Sequence, residues 1–223
     1  MSLSTNSKMS TKTLTSLAML AALAYIVMLL CKGFPKVVGI LQFDLTDTVL
    51  CIGGFIFGPM AAAILAILVP LIEMFTASET GIIGMIMNVL SSASFCCTAS
   101  YIYKRRHTKQ GAVISLVAGV VAMTAVMLLW NYLITPIYQK VPREVVVGML
   151  PTVFLPFNLV KGGLNMGAIL LLYKPVVTAM RKAGLVPPST GASGKKFNAG
   201  FLMFTLALLA TFVVWALVLL GMI

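Results

Sequence analysis

The chain consists of long apolar runs separated by short basic or turn-forming segments. Five continuous runs cover residues 14–31, 82–103, 111–136, 151–174 and 199–221. Each approaches or exceeds the length of about 20 residues that a helix needs to cross a bilayer. Because apolar residues follow one another instead of alternating with polar ones, the pattern favours helices. It predicts an all-α polytopic membrane protein.

A further apolar region, residues 47–75, is interrupted by Gly53-Gly54 and by Gly58-Pro59. It is either one long kinked helix or two short helices that fold back at Gly58-Pro59. We favour the pair, because Gly-Pro is a strong turn signal and short helices can line a cavity.

The apolar pattern also divides the chain into four parts. A six-helix core occupies residues 14–182, and residues 1–13 form a cytoplasmic N-terminal segment. A flexible linker, 183–198, is rich in Pro, Gly and Ser and leads to an additional C-terminal transmembrane helix over 199–221.

Composition agrees with a membrane protein, since 60% of the 223 residues are hydrophobic and 9% are charged. Soluble domains carry about 25% charged residues. The net charge of +11 would suggest a nucleic-acid partner in a soluble protein, but here the basic residues lie in short segments between apolar runs. The positive-inside rule therefore places these residues in the cytoplasm: Lys8, Lys12, Lys104, Arg105, Arg106, Lys109, Lys174, Arg181, Lys182, Lys195 and Lys196.

Polar residues inside the apolar runs indicate a binding site. Asn158, Lys161 and Asn165 follow one another at spacings of three and four, so they share one helical face. A lysine at bilayer depth costs about 2.5–3.5 kcal/mol, so Lys161 should face a cavity or a partner. Asn131 lies among aromatic residues, a composition suited to holding a flat polar heterocycle.

The connection over residues 32–46 is unusually apolar for a loop. Leu41 and Phe43 are among its hydrophobic members, and the loop either folds over the site as a lid or contacts lipid headgroups. It ends in FDLTD, where Asp44 or Asp47 could cap the next helix.

Several classes of chemistry have no signature in the sequence. HExxH, GxSxG and paired-carboxylate arrangements do not occur, and one histidine leaves little for acid–base catalysis. The four cysteines have no metal-ligand spacing. Neutral amides with one lysine can bind a neutral polar ligand, but they do not form the chain of acids expected of a proton relay. We therefore expect neither a catalytic nor a metal site.

Several segments together resemble the riboflavin-binding S component of energy-coupling factor (ECF) transporters. They are small residues Ala18 and Ala22, LQFDLTDTVLCIGGFIFGPMAA, the ETG turn, LWNYLITPIY, and LPFNLVKGGLN followed by LLLYKP. The resemblance runs from about residue 12 to 182. It implies a multi-pass, non-enzymatic subunit of a bacterial-type plasma membrane, with riboflavin as its transported ligand and no cofactor. Such a subunit captures riboflavin from outside and delivers it by association with a transmembrane coupling protein and two ATPases.

The resemblance also implies roles for individual residues. Those expected to bind riboflavin are Leu41, Phe43, Glu79, Thr80, Gly81, Asn131, Asn158 and Lys161. Ala18 and Ala22 match the small-residue motif that docks onto the coupling protein, although ordinary packing within the chain also explains them. Alternatives are an S component for another vitamin or flavin derivative, a secondary transporter, and a membrane enzyme. The seventh hydrophobic segment, and the low polarity around residues 70–73, depart from the family pattern.

Overall fold

The computed structural model describes residues 10–39, 41–186 and 199–223. Predictions for residues 1–9, for Ile40 and for linker residues 187–198 lie outside this range. The helices are α1 Thr11–Cys31, α2 Thr46–Phe57, α3 Pro59–Thr76, α4 Gly81–Arg105, α5 Lys109–Gln139, α6 Arg143–Met149, α7 Leu155–Lys182 and α8 Ala199–Leu219. Within these described residues, six helical segments, with α6 and α7 counted together, are long and apolar enough to cross a membrane, and α2 is a shorter apolar helix. The predicted all-α membrane fold is confirmed.

The break at Gly58-Pro59 separates α2 from α3, as predicted. Gly58 has a φ of 95°, a backbone conformation that glycine adopts without a steric penalty. Pro59 then occupies the first position of α3, where its fixed φ suits a helix and its missing N–H costs nothing. The two helices pack against each other and against α4.

The region before the polar α7 helix is more helical than predicted. Residues 139–148 lie between the apolar runs 111–136 and 151–174, yet α6 occupies Arg143–Met149 and a π-helical turn, Leu150–Phe154, joins it to α7. The run Val145 to Val147 has low intrinsic helix propensity, and burial of Val146 overrides that preference. Helix α7 also continues through Pro175 to Lys182.

The apolar first loop contains a small hairpin that the sequence did not predict. Strand β1 Lys36–Val37 pairs antiparallel with β2 Leu41–Gln42. The side-chain amide of Gln42 donates to the carbonyls of Cys31, Lys32 and Phe34 at 2.9–3.0 Å. These bonds attach the hairpin to the end of α1.

Helices α1 to α5 and α7 surround one apolar core. Its fully buried members include Leu20, Leu50, Leu65, Phe95, Leu116 and Ile169. Small residues allow the helices to approach closely. A Cβ built on Gly119, for example, would lie 2.9 Å from the Phe95 ring.

The additional helix α8 packs on α7 beside this core, so the expected seventh hydrophobic segment is helical. A Cβ built on Gly163 would lie 2.3 Å from the ring of Phe212, and one on Gly167 would lie 3.1 Å from Leu209. Two glycines on α7 therefore form the surface that receives α8. Most of the remaining α8 side chains are exposed, as expected for a helix that faces lipid.

Candidate functional site

A cavity of about 160 Å³ lies beneath the β1–β2 hairpin. Its walls come from the hairpin, from the start of α2 with the segment before it, and from α1, α3, α4, α5 and α7. The polar lining residues are Lys32, Lys36, Gln42, Asp44, Thr46, Glu73, Glu79, Thr80, Asn88, Ser91, Ser92, Asn131, Asn158 and Lys161. The apolar lining residues are Met28, Cys31, Leu41, Val69, Pro70, Met87, Met127 and Phe157. The cavity thus combines apolar contact area with many hydrogen-bonding groups.

Lys161 occupies the wall of this cavity in an ion pair. Its Nζ lies 2.8 Å from Oδ2 of Asp44, and the residue is 9% exposed. The other carboxylate oxygen of Asp44 accepts a hydrogen bond from the backbone N–H of Thr46 at 3.0 Å, at the start of α2. The N-cap of α2 is nevertheless Leu45, without a side-chain cap hydrogen bond, so the prediction that Asp44 or Asp47 caps this helix is wrong. The Asp44 carboxylate neutralises the buried lysine, a pairing that the sequence did not predict.

Asn165 lies one turn deeper and outside the residues that line the cavity. Its amide nitrogen donates to the carbonyls of Asp44 and Lys161 at 2.9 and 3.0 Å. Its oxygen accepts from the hydroxyl of Thr48 at 2.8 Å. Asn165 therefore joins α7 to α2 and to the segment before it, and it supports the site from behind.

Asn131 and Asn158 line the cavity, and each amide is also bonded to its own helix. The nitrogen of Asn131 donates to the Met127 carbonyl at 2.7 Å, and its oxygen accepts from Thr135 at 2.9 Å. The nitrogen of Asn158 donates to the Phe154 carbonyl at 2.7 Å. Since a primary amide has two N–H groups and two acceptor lone pairs, both residues keep capacity for a ligand.

Glu73 is a cavity residue that sequence reasoning missed. Its side chain is 16% exposed, and Oε1 lies 3.3 Å from Nζ of Lys32. The amide of Asn88 donates to its other oxygen at 3.0 Å. Lys32 also donates to the carbonyl of Ala77. Residues 70–73 are less polar than the family pattern, but this wall of the cavity still carries polar groups.

Glu79 forms an exposed ion pair with Lys36 of the hairpin. The bond connects the hairpin to the turn between α3 and α4. Because the Lys36 ammonium donates to the carboxylate and attracts it electrostatically, the pKa of Glu79 is below its ordinary value.

The cavity brings together six of the eight predicted binding residues: Leu41, Glu79, Thr80, Asn131, Asn158 and Lys161. Phe43 and Gly81 are outside its lining. Phe43 stacks on Phe157, with ring centroids 4.8 Å apart, so it supports the wall from behind. Gly81 has a φ of 60° and begins α4. Within the described ranges, no group of three or more His, Cys, Asp or Glu residues is placed to hold a metal ion.

Ala18 and Ala22, the predicted docking residues, lie on a different surface. Both are exposed on the outer side of α1, whereas the neighbouring Ala21 is buried in the core. The two alanines therefore leave a small-residue surface uncovered within the described part of the chain.

The apolar helices define a polytopic membrane protein, and the cavity between them carries many polar groups. A family model described as ECF transporter, substrate-specific component, matches residues 12–177, and the chain belongs to this family. It is therefore an S component, a class of transporter subunit and not an enzyme. Helix α8 lies beyond the matched residues.

Similar proteins include two curated relatives and one solved structure. The Riboflavin transporter FmnP of Bacillus subtilis (strain 168) is 30% identical over 192 residues, which cover 78% of this chain and 98% of that protein. The Riboflavin transporter RibU of Staphylococcus aureus (strain TCH60) is 26% identical over 178 residues, which cover 77% and 93%. A solved S component of a bacterial ECF transporter is 27% identical with a TM-score of 0.64, and the match covers 76% of this chain and 98% of that one.

Proposed function

We propose that this chain is the riboflavin-binding subunit of an ECF-type vitamin transporter. The observation that carries the proposal is the cavity beneath the hairpin, where Asn131, Asn158 and Lys161 meet. The similarity to two riboflavin transporters supports the choice of ligand. The apolar lining would supply contact area for the flavin ring, and the amides would supply directed hydrogen bonds that select it.

The charges around the cavity favour riboflavin over a phosphorylated flavin. All three lining lysines are paired with carboxylates: Lys32 with Glu73, Lys36 with Glu79, and Lys161 with Asp44. No lysine of the lining is thus left without a counter-charge. A phosphate ester would have to break at least one pair or bring its own counter-ion.

Binding by the purified full-length protein tests this proposal directly. Riboflavin fluorescence should be quenched on titration, while flavin mononucleotide at the same concentrations should bind at least tenfold more weakly. Absence of riboflavin binding would refute the proposed ligand. Tighter binding of the mononucleotide would favour a different flavin derivative.

We further propose that the hairpin faces outward and that the N-terminus is cytoplasmic. The basic residues from Lys104 to Lys109, at the junction of α4 and α5, then lie inside in agreement with the positive-inside rule. The uncovered Ala18 and Ala22 surface would dock onto the coupling protein, and two ATPases would supply the energy. Vesicles that contain this chain alone should therefore bind riboflavin without concentrating it.

A further inference from the structure

Helix α8 packs on the bundle through one of its faces, although it is apolar on all sides. The side chains that make this contact recur at spacings of three and four residues and therefore share a face: Leu208, Leu209, Phe212, Ala216 and Leu219. Ala210 and Val214, which point elsewhere, are exposed. The helix is thus seated in a defined rotation against its neighbours.

The surface that receives α8 lies on the side of α7 that faces away from the cavity. Gly163 and Gly167 form a G-x-x-x-G pair, and Phe212 and Leu209 of α8 pack on the two glycines. By helical spacing, these glycines lie opposite Lys161, which lines the cavity. Helix α7 therefore stands between α8 and the polar part of the site.

The two halves of α8 pack against different parts of the molecule. Leu208, in the first half, packs against the main apolar core. The second half packs into a separate apolar cluster that it shares with the hairpin, with Phe43 and with α7, and that includes Val37, Leu41, Phe43, Phe157, Ala216 and Leu219. The C-terminal end of α8 therefore lies against the hairpin.

This second cluster forms the apolar wall of the cavity. Leu41 and Phe157 belong to it and also line the cavity. Phe43 stacks on Phe157 with ring centroids 4.8 Å apart. Because Ala216 and Leu219 pack into the same cluster, α8 takes part in the packing that fixes both lining side chains.

We propose that the C-terminal half of α8 is a positioning element of the ligand site, in which Ala216 and Leu219 hold the wall formed by Leu41 and Phe157. The inference rests on the proposed function of the cavity as a riboflavin site. A wall that already has its bound shape binds more tightly, because ordering loose side chains on binding costs free energy. The family match ends at residue 177, so this support comes from outside the matched core.

Two leucines of α8 provide a matched test. Leu219→Ala and Leu208→Ala remove the same atoms from half-buried side chains, one at the hairpin cluster and one at the main core. Both should lower the thermal midpoint of the full-length protein by a few degrees. Leu219→Ala should raise the riboflavin dissociation constant about tenfold, and Leu208→Ala should change it by less than about twofold. Equal dissociation constants in the two variants would overturn the proposal.

Substitutions of alanine test the same wall by overpacking. Ala216→Leu should weaken riboflavin binding about tenfold, whereas Ala210→Leu, on the exposed face, should bind normally. Ala216→Ser keeps a small side chain and should retain the native affinity. Native affinity in Ala216→Leu would contradict the positioning role.

Ligand-free measurements separate this inference from the proposed function. Without riboflavin, Ala216→Leu should lower the thermal midpoint by several degrees relative to Ala210→Leu, and equal midpoints would remove the contact on which the inference depends. Failure of the native protein to bind riboflavin would refute the proposed function. Native binding, with equal affinities in Leu219→Ala and Leu208→Ala, would refute the role of α8 alone.

Discussion

The charged residues of the cavity are held by partners distant in sequence. Lys161 pairs with Asp44, and Glu73 pairs with both Lys32 and Asn88. A buried ion pair adds little net stability, but removal of one member leaves an uncompensated charge. Substitutions at these positions should therefore affect binding and folding together, which makes matched controls necessary.

Riboflavin affinity should depend on the polar face of α7. Lys161→Ala and Asn158→Ala each remove a hydrogen-bonding group from the cavity wall, and each should weaken binding by about 1–3 kcal/mol, or roughly 5- to 150-fold. Fluorescence titration of the purified variants measures the change. Lys174→Ala, at an exposed lysine on the same helix, should bind normally. Unchanged affinity in both cavity variants would refute the site.

The bond between Lys36 and Glu79 should make hairpin closure dependent on pH. Lys36 lowers the pKa of Glu79 in the closed state, so the stabilisation is present above the ordinary value of 4.5 and is lost as the pH falls through the lowered pKa. Riboflavin dissociation should therefore accelerate at acidic pH. Glu79→Gln should dissociate faster at neutral pH and lose the part of the pH dependence that Glu79 causes. An identical pH profile in the two proteins would exclude this role.

Only part of this residue-level picture was predictable. The sequence predicted the cavity positions of Asn131, Asn158 and Lys161. A polar side chain in an apolar run costs free energy in a bilayer, so it is expected to face a cavity or a partner. Their partners were missed because the pairing of Lys161 with Asp44 depends on how α7 meets the start of α2. Glu73 was not predicted for the same reason, since Lys32 and Asn88 reach it only in the folded molecule.

At the scale of the elements, α1 presents two different faces. Ala21 and Leu17 pack into the core, while Ala18 and Ala22 are exposed. Ala18→Leu and Ala22→Leu should therefore impair association with the coupling protein and spare riboflavin binding. Co-purification measures the first property, and fluorescence titration measures the second.

Ala21→Leu provides the matched comparison on the same helix. It should destabilise the fold, because overpacking a core costs typically 1–3 kcal/mol. Normal complex formation by both outward-facing variants would refute the docking surface. Loss of riboflavin binding in them would instead assign those alanines to internal packing.

The contact between α7 and α8 makes a second prediction at this scale. Gly163→Ala places a methyl group against the Phe212 ring and should lower the thermal midpoint, and Phe212→Ala should relieve that clash in the double variant. Gly148→Ala has open space around its Cβ and should be neutral or slightly stabilising. If Phe212→Ala gave no relief, the proposed contact would be wrong.

Most of the helices could be predicted from the sequence. Apolar length located the spans, and Gly58-Pro59 located the turn between α2 and α3. Helix α6 was missed because its valines are poor helix formers and only tertiary burial of Val146 stabilises them. The hairpin was missed because its strands have two residues each, too few for an alternating pattern.

For the whole molecule, hydropathy fixed the fold class but not the arrangement of the helices. Lipid is as apolar as a helix surface, so apolar content does not reveal which faces meet. The family match ends at residue 177, before α8, so it does not locate this helix. The contacts of α8 with the glycines of α7 show where it packs.

The packing of α8 has a practical consequence for reporter placement. Its Ala216 belongs to the same apolar cluster as Val37, Phe43 and Phe157, so its C-terminal end lies beside the hairpin. A tag fused after Ile223 should therefore be digested by a protease added outside intact cells, whereas an N-terminal tag should survive. A fluorophore attached at that end would sit next to the cavity entrance without replacing any lining residue. The extra helix thus offers a site for an optical sensor of vitamin capture.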